Sequence, residues 1–158
     1  MVCWVPRIIV DADACPRNVL AACTRAAAAF GFELWTVANF HHHITSERHI
    51  VVGGDSQETD IKIANLTRPG DVVVTQDWGL AALILGKQAY AISPTGREYR
   101  PETIDFLLEE REVKARIRRS GGRTKGPKVR NARQDAAFAR TLGALLAQIT
   151  SESETPYY

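Results

Sequence analysis

Apolar positions along the chain fall into short β-branched runs separated by longer stretches of helical spacing. Residues 7–10 (RIIV) open the pattern and end in Asp11, as a buried strand would. Pro16 suits the first turn of a helix, where its missing N–H costs nothing. The alanine-rich LAACTRAAAAF stretch carries that helix to a stop near Gly31. Residues 34–38 and 49–52 read as a second and third strand. A short helix of weak periodicity follows over 58–66, and Pro69-Gly70 turns the chain into a fourth strand over 72–75. Residues 80–85 return to helix, closed by Gly86, and 90–92 make a short fifth strand.

Strands alternating with helices imply βαβ units and a parallel sheet. The last third differs. Residues 101–119 predict a helix with Ile104, Leu107, Leu108 and Val113 as its apolar stripe. A Gly- and Lys/Arg-rich loop follows over 120–132, then a helix over 134–149 with Ala137, Phe138, Leu142, Leu145 and Leu146 near one face. No internal repeat or dividing linker is evident. The expectation is one domain over 1–149, with the basic loop (118–132) inside it and a polar flexible tail over 150–158.

A chain of 158 residues can bury a core without staples. No apolar run approaches the roughly 20 residues that span a bilayer. The first residues lack a basic segment followed by a small-residue cleavage site, so the expected location is the cytoplasm, with no membrane partner. Three cysteines (Cys3, Cys15, Cys23) without CxxC spacing predict thiols rather than a disulfide framework or zinc ribbon. The net charge of +2 hides a segregation. Residues 1–110 carry nine Lys and Arg against 14 Asp and Glu, whereas 111–133 carry ten basic residues against Glu112 alone.

Two of the apolar strands end in acid: IIV runs into Asp11 and Asp13, and VVVT into Gln76-Asp77. In open parallel sheets ligands bind beyond the carboxyl ends of the strands, near the reversal of strand order. If strands 1 and 4 are neighbours there, Asp11 and Asp77 share one cleft, and Asp13 can join them from the strand-to-helix turn. The GGDSQETD segment offers Asp60 at the start of a helix and, less directly, Asp55 in a Gly loop. Carboxylates held close raise one another's pKa, and a cation removes that penalty. An oxygen-only donor set suits Mg²⁺ or Mn²⁺ rather than zinc. Such ions activate water and stabilise charge on a phosphate, which is phosphodiester hydrolysis chemistry. The competing reading of each Asp is a helix cap or turn residue. Asp71, at the opposite end of strand 4, is read as a turn residue.

These residues carry a resemblance. VDADACP (10–16), GDSQETD (54–60), GDVVVTQDWGLA (70–81), SPTGREY (93–99) and RTKGPK (123–128) occur in the order of the bacterial YaiI/YqxD family, also called UPF0178 or DUF188. The resemblance covers about residues 7 to 147. It implies a PIN-like α/β three-layer sandwich with a mainly parallel sheet of order 3-2-1-4-5 and C-terminal helices. It also implies a metal-dependent nuclease site. Asp11 resembles the first-strand acid, Asp60 the mid-chain helix acid and Asp77 the acid after strand 4, with Asp13 as a family-specific addition. PIN-like domains are often dimers, so a homodimer is a further expectation. The family pattern places an Asp four residues before an aromatic in the last helix. Here that place is Gln134, while Asp135 stands three before Phe138, a shift of about 100° around the helix.

The basic segment suits a nucleic-acid partner, RNA in the first instance. Arg118, Arg119, Arg123, Lys125, Lys128 and Arg130 are the candidate phosphate contacts. A solvated helix face and loop is the bland alternative. Trp78 is a packing residue or a stacking platform for a base, and the His41–His43 run is an exposed loop. Cys15, among acids, is a poor nucleophile. Beside the metal-dependent nuclease stand two rivals. One is a non-catalytic nucleic-acid-binding module with a residual metal site. The other is a haloacid-dehalogenase-type phosphotransferase using Asp11 and Asp13, which would leave Asp77 without a role.

Overall fold

The computed structural model describes residues 5–39, 48–121 and 129–154. Strands β1 (Arg7–Asp11), β2 (Glu33–Asn39), β3 (Arg48–Val52), β4 (Val72–Val74), β5 (Tyr90–Ile92) and β6 (Glu98–Tyr99) form one sheet. Around it lie helices α1 (Arg17–Phe30), α2 (Ser56–Leu66), α3 (Trp78–Gly86), α4 (Pro101–Arg119) and α5 (Ala132–Glu154). A single 3₁₀ turn, Ala12–Ala14, joins β1 to α1. The sheet order is β3-β2-β1-β4-β5-β6. The first five strands are parallel in the expected order, and β6 adds an antiparallel edge.

Side chains alternate across the central strands and so build two cores. Ile8 and Val10, with Val72 and Val74, face α1 and α5 and pack with Val19, Phe138, Leu142 and Leu146. Ile9 and Val73 face the other way, toward Ile63 of α2, Ala81 and Ile84 of α3, and Tyr99. Covering a parallel sheet on both faces makes the three layers, and it explains why its strands read as unbroken apolar runs.

The structure revises several sequence-drawn boundaries. Helix α3 begins at Trp78, two residues before the run that predicted it, because Asp77 caps it. Helix α2 begins at Ser56, so Asp60 sits in its second turn rather than at its start. The tail expected from residue 150 is helical to Glu154, where the Glu152 carboxylate accepts a hydrogen bond from Tyr90 Oη at 3.2 Å. Gly96 (φ +91°), in the turn before β6, lies so close to α5 that an added Cβ would come within 2.7 Å of the Ala137 backbone. Thr141 Oγ1 closes that contact by donating to Gly96 O at 2.8 Å.

At the amino end of β1 the fully buried Asp71 meets Arg7. Its Oδ2 accepts from Arg7 Nη2 at 2.6 Å, Arg7 Nε at 3.2 Å and the Arg68 N–H at 2.8 Å. Asp71 is thus the turn residue the sequence suggested and also half of a buried ion pair. The Arg7 and Arg48 guanidinium groups each lie over the Trp35 ring, 5.1 Å from its centroid. Arg7→Ala strands a carboxylate inside the protein, and we expect it to lower unfolding free energy by about 3–5 kcal/mol in urea titrations. Arg48→Ala, which breaks a half-exposed pair with Glu33, is expected to cost under about 1 kcal/mol in the same assay.

Candidate functional site

Parallel strands deliver their carboxyl ends to one edge of the sheet. Val10 is level with Val74 in the β1–β4 ladder, so Asp11 follows on one strand where Thr75 follows on the other. Thr75 Oγ1 bridges the two acidic segments. It donates to Asp11 Oδ2 at 3.1 Å and accepts the Asp77 N–H at 3.0 Å. The Thr75 carbonyl in turn accepts from Tyr99 Oη at 3.2 Å, which locks this turn to β6. Asp77 Oδ1 accepts from the Leu80 N–H at 3.1 Å, the N-cap bond of α3. Asp13, in the 3₁₀ turn, accepts the Asn39 N–H on Oδ1 at 2.7 Å, tying that turn to the end of β2.

Asp60 reaches the same edge from α2. Its pKa is pushed up to about 6, by partial burial first and then by the charges of Asp77 and Asp11, with a hydrogen bond to Asp77 and the Asp13 charge adding to it. Burial likewise raises Asp11; the Thr75 hydrogen bond opposes this, and the Asp13 and Asp77 charges reinforce it. All four predicted acids therefore share one electrostatic neighbourhood. Among the described residues no three His, Cys, Asp or Glu side chains are already grouped closely enough to hold an ion. Burial, with the Asp11 charge, pushes the neighbouring Cys15 thiol up to about 12, so it stays protonated and is neither a thiolate ligand nor a nucleophile.

Other candidates sit elsewhere. Asp55 is exposed and is the N-cap of α2, accepting the Gln57 N–H at 3.0 Å. Asp135 lies between α1 and α5, where it accepts from Arg130 Nε at 2.6 Å and Asn18 Nδ2 at 2.9 Å, and those two bonds lower its pKa. Gln134 exchanges reciprocal hydrogen bonds with Asn131 at the start of α5, an N-terminal capping box. Trp78 is half-buried and packs against the α2–α3 core, and its indole hydrogen-bonds Tyr99. Arg118 and Arg119 end α4, with Arg119 paired to Glu112 at 3.2 Å. Arg130 stands near enough to Cys15 to act on its thiol, and among the described residues its buried Nη2 has no hydrogen-bond partner. Arg123, Lys125, Lys128 and His41–His43 lie outside the described residues.

Sequence reasoning missed Thr75, Asn39 and Tyr99. The Thr-x-Asp spacing after an apolar strand was the available signal, since a hydroxyl two residues before an Asp can take that residue's N–H.

The chain matches the model of a family described as "Uncharacterized BCR, YaiI/YqxD family" over residues 9–148. It is 56% identical over 142 residues to a UPF0178 protein of Heliobacterium modesticaldum, covering 90% of this chain and 97% of that protein. It is 42% identical over 146 residues to a UPF0178 protein of Exiguobacterium sibiricum, covering 91% and 99%. Among solved structures, Rae1 (YacP) of Bacillus subtilis (W164L mutant) aligns with a TM-score of 0.41 at 19% identity, covering 89% of this chain and 98% of that one. No helix among the described residues is long and apolar enough to cross a membrane.

The Asp60 shift has a sign. Its folded-state pKa lies above the unfolded value, so between about pH 4 and pH 6 the native state keeps a proton that the unfolded chain has released. In chelator, stability is therefore expected to fall as pH rises through that window. Carboxyl ¹³C NMR should show Asp60 titrating near 6, and Asp77→Asn should bring it down. Titration near 4 in the wild type would contradict this account.

Proposed function

The chain belongs to the YaiI/YqxD family, and from that premise we propose that it is a divalent-metal-dependent nuclease hydrolysing phosphodiester bonds of RNA, or of DNA. The observation that carries this reading is the convergence of Asp11, Asp13, Asp60 and Asp77 at one edge of the sheet, close enough to raise the pKa values of Asp11 and Asp60. Such repulsion is costly unless a cation or a proton offsets it.

The donor set fits the ion. All four groups offer oxygen, and Mg²⁺ habitually keeps several waters while bound through one or two carboxylates and the substrate's phosphate. A bound Mg²⁺ or Mn²⁺ would supply water activation and charge stabilisation on the phosphate. The protein's own groups do the positioning. Thr75 fixes Asp11 and the backbone of Asp77, while the Asn39 N–H holds Asp13. Arg130, held by Asp135 and near enough to Cys15 to act on its thiol, is a candidate phosphate contact. The basic residues of 111–133 would add sequence-independent attraction for the nucleic acid. Phosphotransfer through Asp11 and Asp13 is less supported. Asp13 is anchored to main chain, and that reading gives no task to Asp77.

The test is calorimetry with Mg²⁺ and Mn²⁺, followed in the same samples by cleavage of a mixed RNA and single-stranded DNA pool. Asp11→Asn and Asp77→Asn should lose both metal binding and cleavage. Thr75→Val, which only positions the acids, should cost about 10–100-fold. Full cleavage by Asp77→Asn refutes the proposal. Metal and RNA binding without cleavage by the wild type would make the protein a nucleic-acid-binding module instead.

A further inference from the structure

Helix α3 (WGLAALILG) is apolar on every side, yet Leu83 is 61% exposed; across from it on α2, Ile61 is 59% exposed. A helix apolar all round normally lies wholly inside a protein. Here its outer side forms one wall of a groove of about 340 Å³ between α2 and α3. Ile61, Ala64 and Asn65 line one wall, and Gly79, Leu80 and Leu83 the other. Asp60 and Asp77 line the same groove, so the acidic edge and the apolar slot are continuous.

We propose that this groove is a nucleobase subsite that seats one unstacked base of the strand whose phosphate lies at the acidic edge. The inference rests on the nuclease reading and adds the element of substrate selection. Three features favour a base. The carboxylates mark where an ion-bridged phosphate would sit, and Asn65 follows Asp60 by five residues on α2, about 7 Å further along the axis from the helical rise. That is the scale of the step from a phosphate across a ribose to its base. Beyond the two aspartates the lining carries no charge, as a neutral planar ring requires. The Asn65 amide presents both a donor and an acceptor, and can therefore read a base edge. Enzymes that take a base out of the stack hold it in this way, between apolar walls with polar groups at the edge. A partner's amphipathic helix would need a longer groove, with anchor positions spaced over several turns.

The experiment titrates the full chain, in Mg²⁺, with the four nucleoside 5′-monophosphates, with ribose 5-phosphate and with free nucleosides. Affinities and the Ile61 and Leu83 methyl resonances are read together. At least one nucleotide should bind about tenfold tighter than ribose 5-phosphate and shift both methyls. Leu83→Asp should erase that advantage without weakening ribose 5-phosphate, and Asn65→Ala should flatten the ranking of the four bases. Both changes are at exposed positions on the helix surface. Equal affinity for ribose 5-phosphate and every nucleotide, with silent methyls, overturns the subsite and leaves the nuclease reading standing. Failure of Mg²⁺ and phosphate binding defeats the nuclease reading, and the free nucleosides, which need no metal, then decide the groove separately. Conversion of a dimer to a monomer by Leu83→Asp in sedimentation would assign the groove to a second copy of the chain and overturn the proposal.

Discussion

The parallel pairing of β1 with β4 is the constraint from which the rest follows. Ile8, Ile9 and Val10 stand level with Val72, Val73 and Val74, and each carries its side chain into one of two cores. A slip of one residue would turn every one of these side chains to the wrong face. Apolar packing therefore fixes the register, and the register then decides which polar residue follows on each strand. Thr75 meets Asp11 because the valines beneath leave no alternative. The chemistry at the edge is set by hydrocarbon contacts below it.

The molecule separates its two kinds of buried charge along the strand axis. At one end Asp71 is compensated by Arg7, and this closes the sheet. At the other, acids are set against one another, and a hydroxyl and main-chain N–H groups hold them. The first arrangement anchors the fold, and the second holds an electrostatic strain that a cation can relieve. Because the two lie at opposite ends, changes at the acidic edge spare the ion pair that secures the sheet.

The central strands were legible because β-branched runs such as RIIV and VVV fit only a sheet buried on both faces. Strand β6 was not, since two residues give no periodicity and it exists only by pairing with β5. Asp11, Asp13 and Asp77 could be read from strand ends, and Asp60 from the GGDSQETD segment that leads into a helix. What the sequence could not show is that α2 packs so as to turn Asp60 toward Asp77. Nor could it show the work of Thr75, whose partners lie on different strands. No partner for Asp135 was legible in the sequence; its bond to Asn18 depends on how α5 lies against α1, a contact between residues more than a hundred positions apart, and it holds Arg130 as well.

The placement of α5 has a consequence for biosynthesis. One face of β1 and β4 is covered by α1 and by Phe138, Leu142, Leu145, Leu146 and Ile149 of α5, and the α5 share follows the whole sheet in the chain. On the ribosome every strand is made before that share exists. The nascent polypeptide must hold this apolar face only half covered, by α1, until α5 clears the exit tunnel, and Gly96 leaves room for the helix to settle when it arrives. Translation stalled before residue 132 would leave the sheet partly unroofed on that face, the kind of species on which chaperones act.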